Sequence, residues 1–405
     1  MLSARISNAK RSVATAQRPW GAFPGVIRKP TPCRYARLRL LVAAFLLAAS
    51  ATTAVAADNL DALLARAMEG TQTPAVGVLV IRDGKIAGLA VRGVRRSDGA
   101  DKVMTDDVWL LGSTSKSMTA AMIARLVEQG KLSWQTPLAS MLPELASSMR
   151  PEYRNVTLLE LLSHRAGLPE NVHDLALIDP FFSDTRPLSA QRLAYVSLAL
   201  RDAPEAKPGS KFIYSNTGFL IAGVIAERVT GQSFEELMQQ EVFVPLGMSS
   251  AGFGPTGDSQ PRGHRGGKPV LAMSKSDDGV PLMFAPAGNM HMNLRDWAQF
   301  CLDQLTGSKG AGKLLTAASY RLMQTAQPDS PAGLDWGVQK SIAGRQGPVL
   351  VHGGSDGNWL AWVALFPDSG DGVLVVANAT DDMGGDKATH AVLGELFPSL
   401  SAAAK

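Results

Sequence analysis

The 405-residue chain is poor in cysteine, with only Cys33 and Cys301, so a framework of disulfide bridges is excluded. Histidine is nearly as scarce. Its six positions, 164, 173, 264, 291, 352 and 390, never take the His-x-x-x-His spacing of a helical metal site, so no metal and no other cofactor is expected. Acidic residues are missing from the first 57 positions, which carry nine bases between Arg5 and Arg39. Taking those nine from the formal net charge of +4 leaves −5 for the remainder. The basic character thus belongs to the N-terminal segment, and nothing in the rest calls for a nucleic-acid partner. Apolar runs of membrane-spanning quality are lacking as well. The uncharged stretch from Leu40 to Ala57 reaches 18 residues, the lower limit for a span, and its second half is threonine and alanine.

What the N-terminal segment does contain is a positive flank, the apolar run Leu40–Ala49 and the small-x-small site Ala54-Val55-Ala56. Together these predict a secretory signal peptide over residues 1–56, cleaved after Ala56, and a periplasmic or secreted product without a stable membrane anchor. A retained anchor and a mitochondrial presequence are the alternatives, and the long basic flank leaves room for a true start downstream of Met1. Removal of that segment leaves Cys301 alone, within an apolar helical pattern with Trp297, Phe300 and Leu305 that marks it as a buried structural thiol.

Residues 57–400 read as one domain, with 45% hydrophobic and 19% charged residues in the whole chain. An amphipathic run, Leu60–Met68, precedes two strand-like runs around Asp83-Gly84, a hairpin signal. From Ser113 to about Leu246 the signals turn helical, with capping-box patterns at Thr157–Glu160 and Ser233–Glu236. Asn293 with Asp296 opens a helix to Gly307, and strands follow at 349–351, 359–366 and 373–377, then a helical pattern to Leu396. The expected class is α+β: an antiparallel sheet from residues 57–112 and 291–400, flanked by helices, with a mainly helical region inserted at 113–290. No heptad or long uncapped helix specifies an oligomer.

Three patterns carry chemistry. Ser113-Thr114-Ser115-Lys116 follows a strand-like run, Val108–Leu111, and opens a helix, so Lys116 can reach the Ser113 oxygen. A helix N-terminus disfavours a cation and favours an oxyanion, which suits a nucleophile with a neutral amine as its base. Tyr214-Ser215-Asn216 precedes another helix. Beside a lysine, the Tyr214 phenol can serve as a phenolate base, because the ammonium lowers its pKa. Asn216 offers one acceptor and two donors for orienting Lys116 or a substrate amide. His352-Gly353-Gly354 ends a strand; the glycines leave room for a substrate along the strand edge, and His352 can bind a substrate carboxylate or pass a proton. Each pattern occurs twice, the duplicates being Ser7–Lys10, Tyr153–Asn155 and His264–Gly266. Order and flanks single out the first set.

The chain resembles the family of class C β-lactamases, low-molecular-weight penicillin-binding proteins and related esterases. The likeness rests on "WLLGSTSKSMTA" with "LVEQGKLS", on "VTLLELLSHRAGLPE", on the stretch from Pro208 to Met248, and on "HGGSDGNWLAWVALFPDSGDGVLVVANA", in that order. It implies a transpeptidase-like fold in which Ser113 is acylated, Lys116 and Tyr214 share the base role, Asn216 positions the substrate, and the backbone N–H groups of Ser113 and Ser355 form the oxyanion hole. The family's β-lactamases usually place Lys, Thr and Gly where this chain has His352, Gly353 and Gly354. This departure is similar to some peptidases and esterases of the family and tells against strong β-lactamase activity. The expected partner is a small-molecule or peptide substrate, a D-amino-acid peptide or a β-lactam-like compound. A small-ester hydrolase is the runner-up, and a catalytically dead penicillin-binding sensor comes third. Gly353-x-Ser355-x-Gly357 also matches a nucleophile elbow, which requires a helix after the serine. Expected pocket walls are 171–187, with Phe181 and Phe182, and 252–279.

Overall fold

The computed structural model describes residues 57–270 and 279–401; the expected leader, the Ser7–Lys10 duplicate and residues 271–278 of one expected pocket wall lie outside them. Helix α1 (Ala57–Met68) buries Leu60, Leu63 and Leu64 on one face. Strands β1 (Ala75–Arg82) and β2 (Lys85–Gly93) are joined by two residues, Asp83 and Gly84, with φ of 48° and 70°. Positive φ at both central positions is the demand of a type I′ turn, which Asp-Gly meets at little cost.

The chain then leaves the sheet for α2 (Ser115–Glu128), α3 (Leu188–Ala199) and α4 (Asn216–Thr230). Two short helices, Leu158–Leu162 and Phe234–Met238, start with complete capping boxes at Thr157/Glu160 and Ser233/Glu236. Helix α4 starts at Ser215, whose hydroxyl accepts from the Gly218 N–H, and stops at Gly231 with φ 71°. Helix α5 (Leu294–Gly307) is capped by Asn293. The chain returns through β3 (Gly337–Ile342), β4 (Arg345–Ser355), β5 (Leu360–Phe366), β6 (Asp371–Ala377) and α6 (Gly385–Ser401).

The sheet order is β2-β1-β6-β5-β4-β3, antiparallel throughout, so the two ends of the chain meet at its centre, with Val76 opposite Ala377. Strand β6 is buried at every position because α1, α5 and α6 pack on the sheet. Fully burying a valine or leucine is worth roughly 1.5–3 kcal/mol, and these central strands consist mostly of such residues. The architecture is α+β, with the helical part sharing one hydrophobic core with the sheet.

Some elements differ from the expectation. Strand β3 and helix Ala317–Gln324 have no counterpart in it, whereas α3 falls within the region expected to be helical. Strand β3 lies at the edge of the sheet beside β4 and exposes Lys340 and Ser341, so an edge strand here lacks an apolar alternation. The strand expected at Val108–Leu111 is two residues long, Trp109–Leu110, and pairs with Met290–Met292, which in turn pairs with Gly252–Phe253. This small sheet brings residues 286–290 behind the start of α2.

Candidate active site

Ser113 is the middle residue of a 3₁₀ turn, Gly112–Thr114, that leads into α2. The turn touches the end of β4 backbone to backbone. A Cβ on Gly112 (φ 53°) would lie 2.4 Å from the Ser355 nitrogen, and one on Gly354 would lie 2.2 Å from the Leu111 carbonyl oxygen and 2.9 Å from the Ser113 nitrogen. Only glycine permits this approach, and it gathers the backbone of Ser113 and Ser355 in one place. Strand β3 follows β4 only as far as Val351, opposite Gly337, so His352–Ser355 run past their neighbour on that side.

Two groups reach the half-buried Ser113 Oγ. Lys116 Nζ lies 3.0 Å away and donates to the Ala287 carbonyl at 2.6 Å. The Tyr214 hydroxyl donates to Ser113 Oγ at 2.7 Å. Lys116 is fully buried, and burial pulls its amine from 10.5 down to about 8, against the opposing pull of Asp335 and Glu170. Tyr214 departs from the expectation. Burial pushes its phenol well above the ordinary 10, and the Asp335 carboxylate adds to the rise. The ammonium 4.8 Å from the ring centre does not reverse this, so the phenol keeps its proton and donates it to Ser113.

Behind these groups lie three buried residues. The His164 ring stacks on Tyr214, with centroids 4.6 Å apart, and accepts the Ser215 N–H on Nδ1 at 3.0 Å. Its proton therefore sits on Nε2, which faces Asp335 Oδ1 at 3.3 Å. Asp335 Oδ2 stands 2.6 Å from His352 Nε2, and the other His352 nitrogen faces the Gly353 carbonyl at 2.8 Å. His352 is 1% exposed, so the ring expected to bind a substrate carboxylate is instead turned inward onto Asp335. Burial raises the Asp335 carboxyl and the two histidines outweigh it, holding the group down at about 2. Asn216, the first residue of α4, is partly exposed and donates to Asn171 Oδ1 at 3.2 Å. Ser355 is exposed at the end of β4.

Sequence reasoning missed Asp335 and the Ala287 carbonyl. The first is a lone acid between Leu334 and Trp336, with no local signal beyond that. The second is a backbone atom that no side-chain pattern reveals. The two duplicates among the described residues have structural roles. Tyr153 is buried in the core, and His264 accepts the Ser97 N–H while its other nitrogen faces Asn378 O. Cys301 is fully buried, and burial pushes its thiol up. Ser355 is followed by a turn and then β5, not by a helix, so the elbow arrangement is absent there. The clefts at Arg95, Arg96 and Gln260 and at Asp61, Arg92 and Lys102 hold no serine with an amine and a phenol beside it, whereas Ser113 has both.

A serine between a buried amine and a phenol, at a backbone cradle on a sheet edge, defines a serine hydrolase of the acyl-transfer class. The family model described as Beta-lactamase matches residues 60–396, and the chain belongs to that family. Among relatives, the unguisins hydrolase ungD' of Aspergillus campestris is 28% identical over 69% of this chain and 54% of its own length, so this chain spans about half of that protein. The D-alanyl-D-alanine-carboxypeptidase/endopeptidase AmpH of Escherichia coli K12 is 26% identical over 83% of this chain and 90% of its own. The octameric penicillin-binding protein homologue from Pyrococcus abyssi shares the fold, with a TM-score of 0.69 at 22% identity over 84% of this chain and 77% of that one.

Proposed function

We propose that this protein is an exported hydrolase in which Ser113 forms an acyl-enzyme with amide or ester substrates of the D-amino-acid peptide or β-lactam-like class. The carrying observation is the placement of Ser113 Oγ 3.0 Å from Lys116 Nζ and 2.7 Å from the Tyr214 hydroxyl. In the neutral form of Lys116, the amine lone pair takes the Ser113 proton as Oγ attacks the carbonyl carbon. The oxyanion is met by the backbone N–H groups of Ser113 and Ser355, each such donor typically worth about 3 kcal/mol of barrier. As the bond to the leaving group breaks, Tyr214 gives its proton to that group and is recharged from Lys116. Water then attacks the ester carbonyl, its proton returns by the same pair, and the acid leaves with Ser113 restored. The end of β4, which runs beyond β3 after Val351, suits a peptide backbone lying alongside, and Asn216 with Asn171 suits its amide groups. A relative named as a carboxypeptidase/endopeptidase supports the amide reading. The inward turn of His352 favours a second reading, simple esters, because that ring is not presented to a substrate carboxylate.

Intact mass spectra of residues 57–405 with excess penicillin, beside a Ser113→Ala control, test this. A lasting adduct on the unmodified protein alone supports a penicillin-binding peptidase, and drug consumption without an adduct supports a β-lactamase. If neither occurs and p-nitrophenyl esters are cleaved, the ester reading leads. Cleavage that survives Ser113→Ala would sink Ser113 as the nucleophile.

A further inference from the structure

We propose that Asp335 is a positioning residue for this site: its one carboxylate ties the histidine that supports Tyr214 to the histidine near the end of the substrate-facing strand, and so holds the proton-transfer pair and the strand edge in register. This rests on Ser113, Lys116 and Tyr214 being the chemical centre.

The geometry is that of a clamp with two arms. On one arm, Asp335 Oδ1 faces His164 Nε2 at 3.3 Å. His164 stacks on the Tyr214 ring at an interplanar angle of 27° and holds the backbone N–H of Ser215, the next residue and the cap of α4. Movement of His164 therefore moves the phenol and the start of α4 together. On the other arm, Asp335 Oδ2 stands 2.6 Å from His352 Nε2. The second nitrogen of His352 faces the Gly353 carbonyl at 2.8 Å, so the ring lies between the Asp335 carboxylate and the strand's own backbone. Gly353 adjoins Gly354, whose backbone abuts the Ser113 turn. The three side chains come from separate stretches of chain, and all are removed from solvent.

The backbone gives a second, independent sign. Asp335 and His164 both hold positive φ, 71° and 58°, although neither is glycine. A glycine would take either conformation freely. Keeping a carboxylate and an imidazole there costs conformational energy at two facing positions, and such strain collects where side-chain placement matters to function. The charged and titratable groups around the carboxylate are His164 after the Leu158–Leu162 helix, His352 on β4 and Lys116 on α2, with Glu170 acting on Lys116 alongside it. Asp335 favours the ammonium of Lys116 and the neutral phenol of Tyr214, the resting forms that donate to Ser113.

The test is steady-state hydrolysis of p-nitrophenyl acetate by the full mature chain, with Ser113→Ala as control. Asp335→Asn is expected to lower kcat about 10- to 100-fold, the usual loss when a partner that orients a reacting group is removed, while KM stays within about twofold. Asp335→Gly, which relieves the positive φ, is expected to lose a similar factor while melting no lower than Asp335→Asn, so rate loss without misfolding remains readable. Because Asp335 acts through the histidines, Asp335→Asn combined with His352→Gln is expected to lose little more than Asp335→Asn alone. A folded Asp335→Asn or Asp335→Gly protein with kcat within about twofold of the unmodified enzyme overturns the proposal, as does full additivity with His352→Gln. Hydrolysis indifferent to Ser113→Ala fails the underlying reading instead, and the control separates the two.

Discussion

Lys116 occupies a place that a lysine ordinarily avoids, fully buried beside two aromatic rings, with its amine between a serine oxygen and a backbone carbonyl. The folded state holds its pKa at about 8, below the unfolded 10.5. Below pH 8 both states are protonated, and folding carries the whole cost of the buried ammonium, about 3 kcal/mol. Between 8 and 10.5 that cost shrinks, because the folded lysine has already lost its proton; above 10.5 it is gone. Lys116→Met keeps the length and removes the charge, but it leaves the Ala287 carbonyl without its donor, a loss of about 1 kcal/mol. The variant should thus be more stable by about 2 kcal/mol at pH 7, lose that gain by pH 10.5, and be inactive at both. Melting temperatures across that range check this, and a variant less stable than the parent at pH 7 would contradict the cost assigned to the ammonium. By the same pKa, kcat/KM of the unmodified enzyme should rise through about pH 8 as the amine becomes neutral. At this scale the sequence revealed the local half of the site. Three-residue spacing at the start of a helix set Lys116 within reach of Ser113, and the order and flanks of the three patterns singled out this pair and Tyr214 from their duplicates. Asp335 was illegible because it lies 171 positions from His164, and only the finished fold brings the two together.

Elements carry the site through close backbone contact rather than through side-chain packing. The Gly112–Thr114 turn and the end of β4 meet where Gly354 has no room for a Cβ, 2.2 Å from the Leu111 carbonyl. Gly354→Ala must therefore push the strand end away from the turn. An error of about 1 Å in a reacting geometry costs on the order of 100-fold in rate, so kcat/KM should fall by about that factor. The sheet itself should survive, since Gly354 is next to the last residue of its strand. Far-ultraviolet circular dichroism beside ester hydrolysis checks both halves, and an alanine variant of unchanged activity would show that the contact is not needed. The helices with strong local chemistry were legible for a physical reason. Thr157 and Ser233 each offer a side-chain acceptor to an amide three residues on, and the glutamate at that third position answers. Strand β3 offered no such signal, since its pattern reflects an edge position that exists only once β4 is beside it.

At the scale of the whole molecule, the order of the chain and the order of the sheet part company. Strand β1 from the start lies beside β6 from the end, and the helical region is inserted between them. The layout was readable from the succession of strand, helix and strand signals, but which strands are neighbours was not, because pairing between chain ends leaves no mark in a local window. The same pairing places helices α1 and α6 together. Arg66 bonds Glu395 at 2.7 Å, and Lys387 reaches the Glu69 carbonyl at 3.4 Å, so the two helices run antiparallel and Ala57 lies at the same end of the pair as Ser401. A short glycine-serine linker can bridge those ends without entering the sheet or the site. New ends opened at Lys309–Gly310, exposed residues just beyond α5, would leave every strand pairing and every contact of Ser113, Lys116, Tyr214 and Asp335 in place. If the fold is held by its packed core rather than by the order in which its pieces are joined, that circular permutant should melt within about 2 °C of the parent, the shift expected for roughly 1 kcal/mol in a domain of this size, and hydrolyse the same ester at a similar rate. A permutant that folds but has lost activity would instead show that the native continuity from α5 toward β3 and Asp335 is needed to set the site.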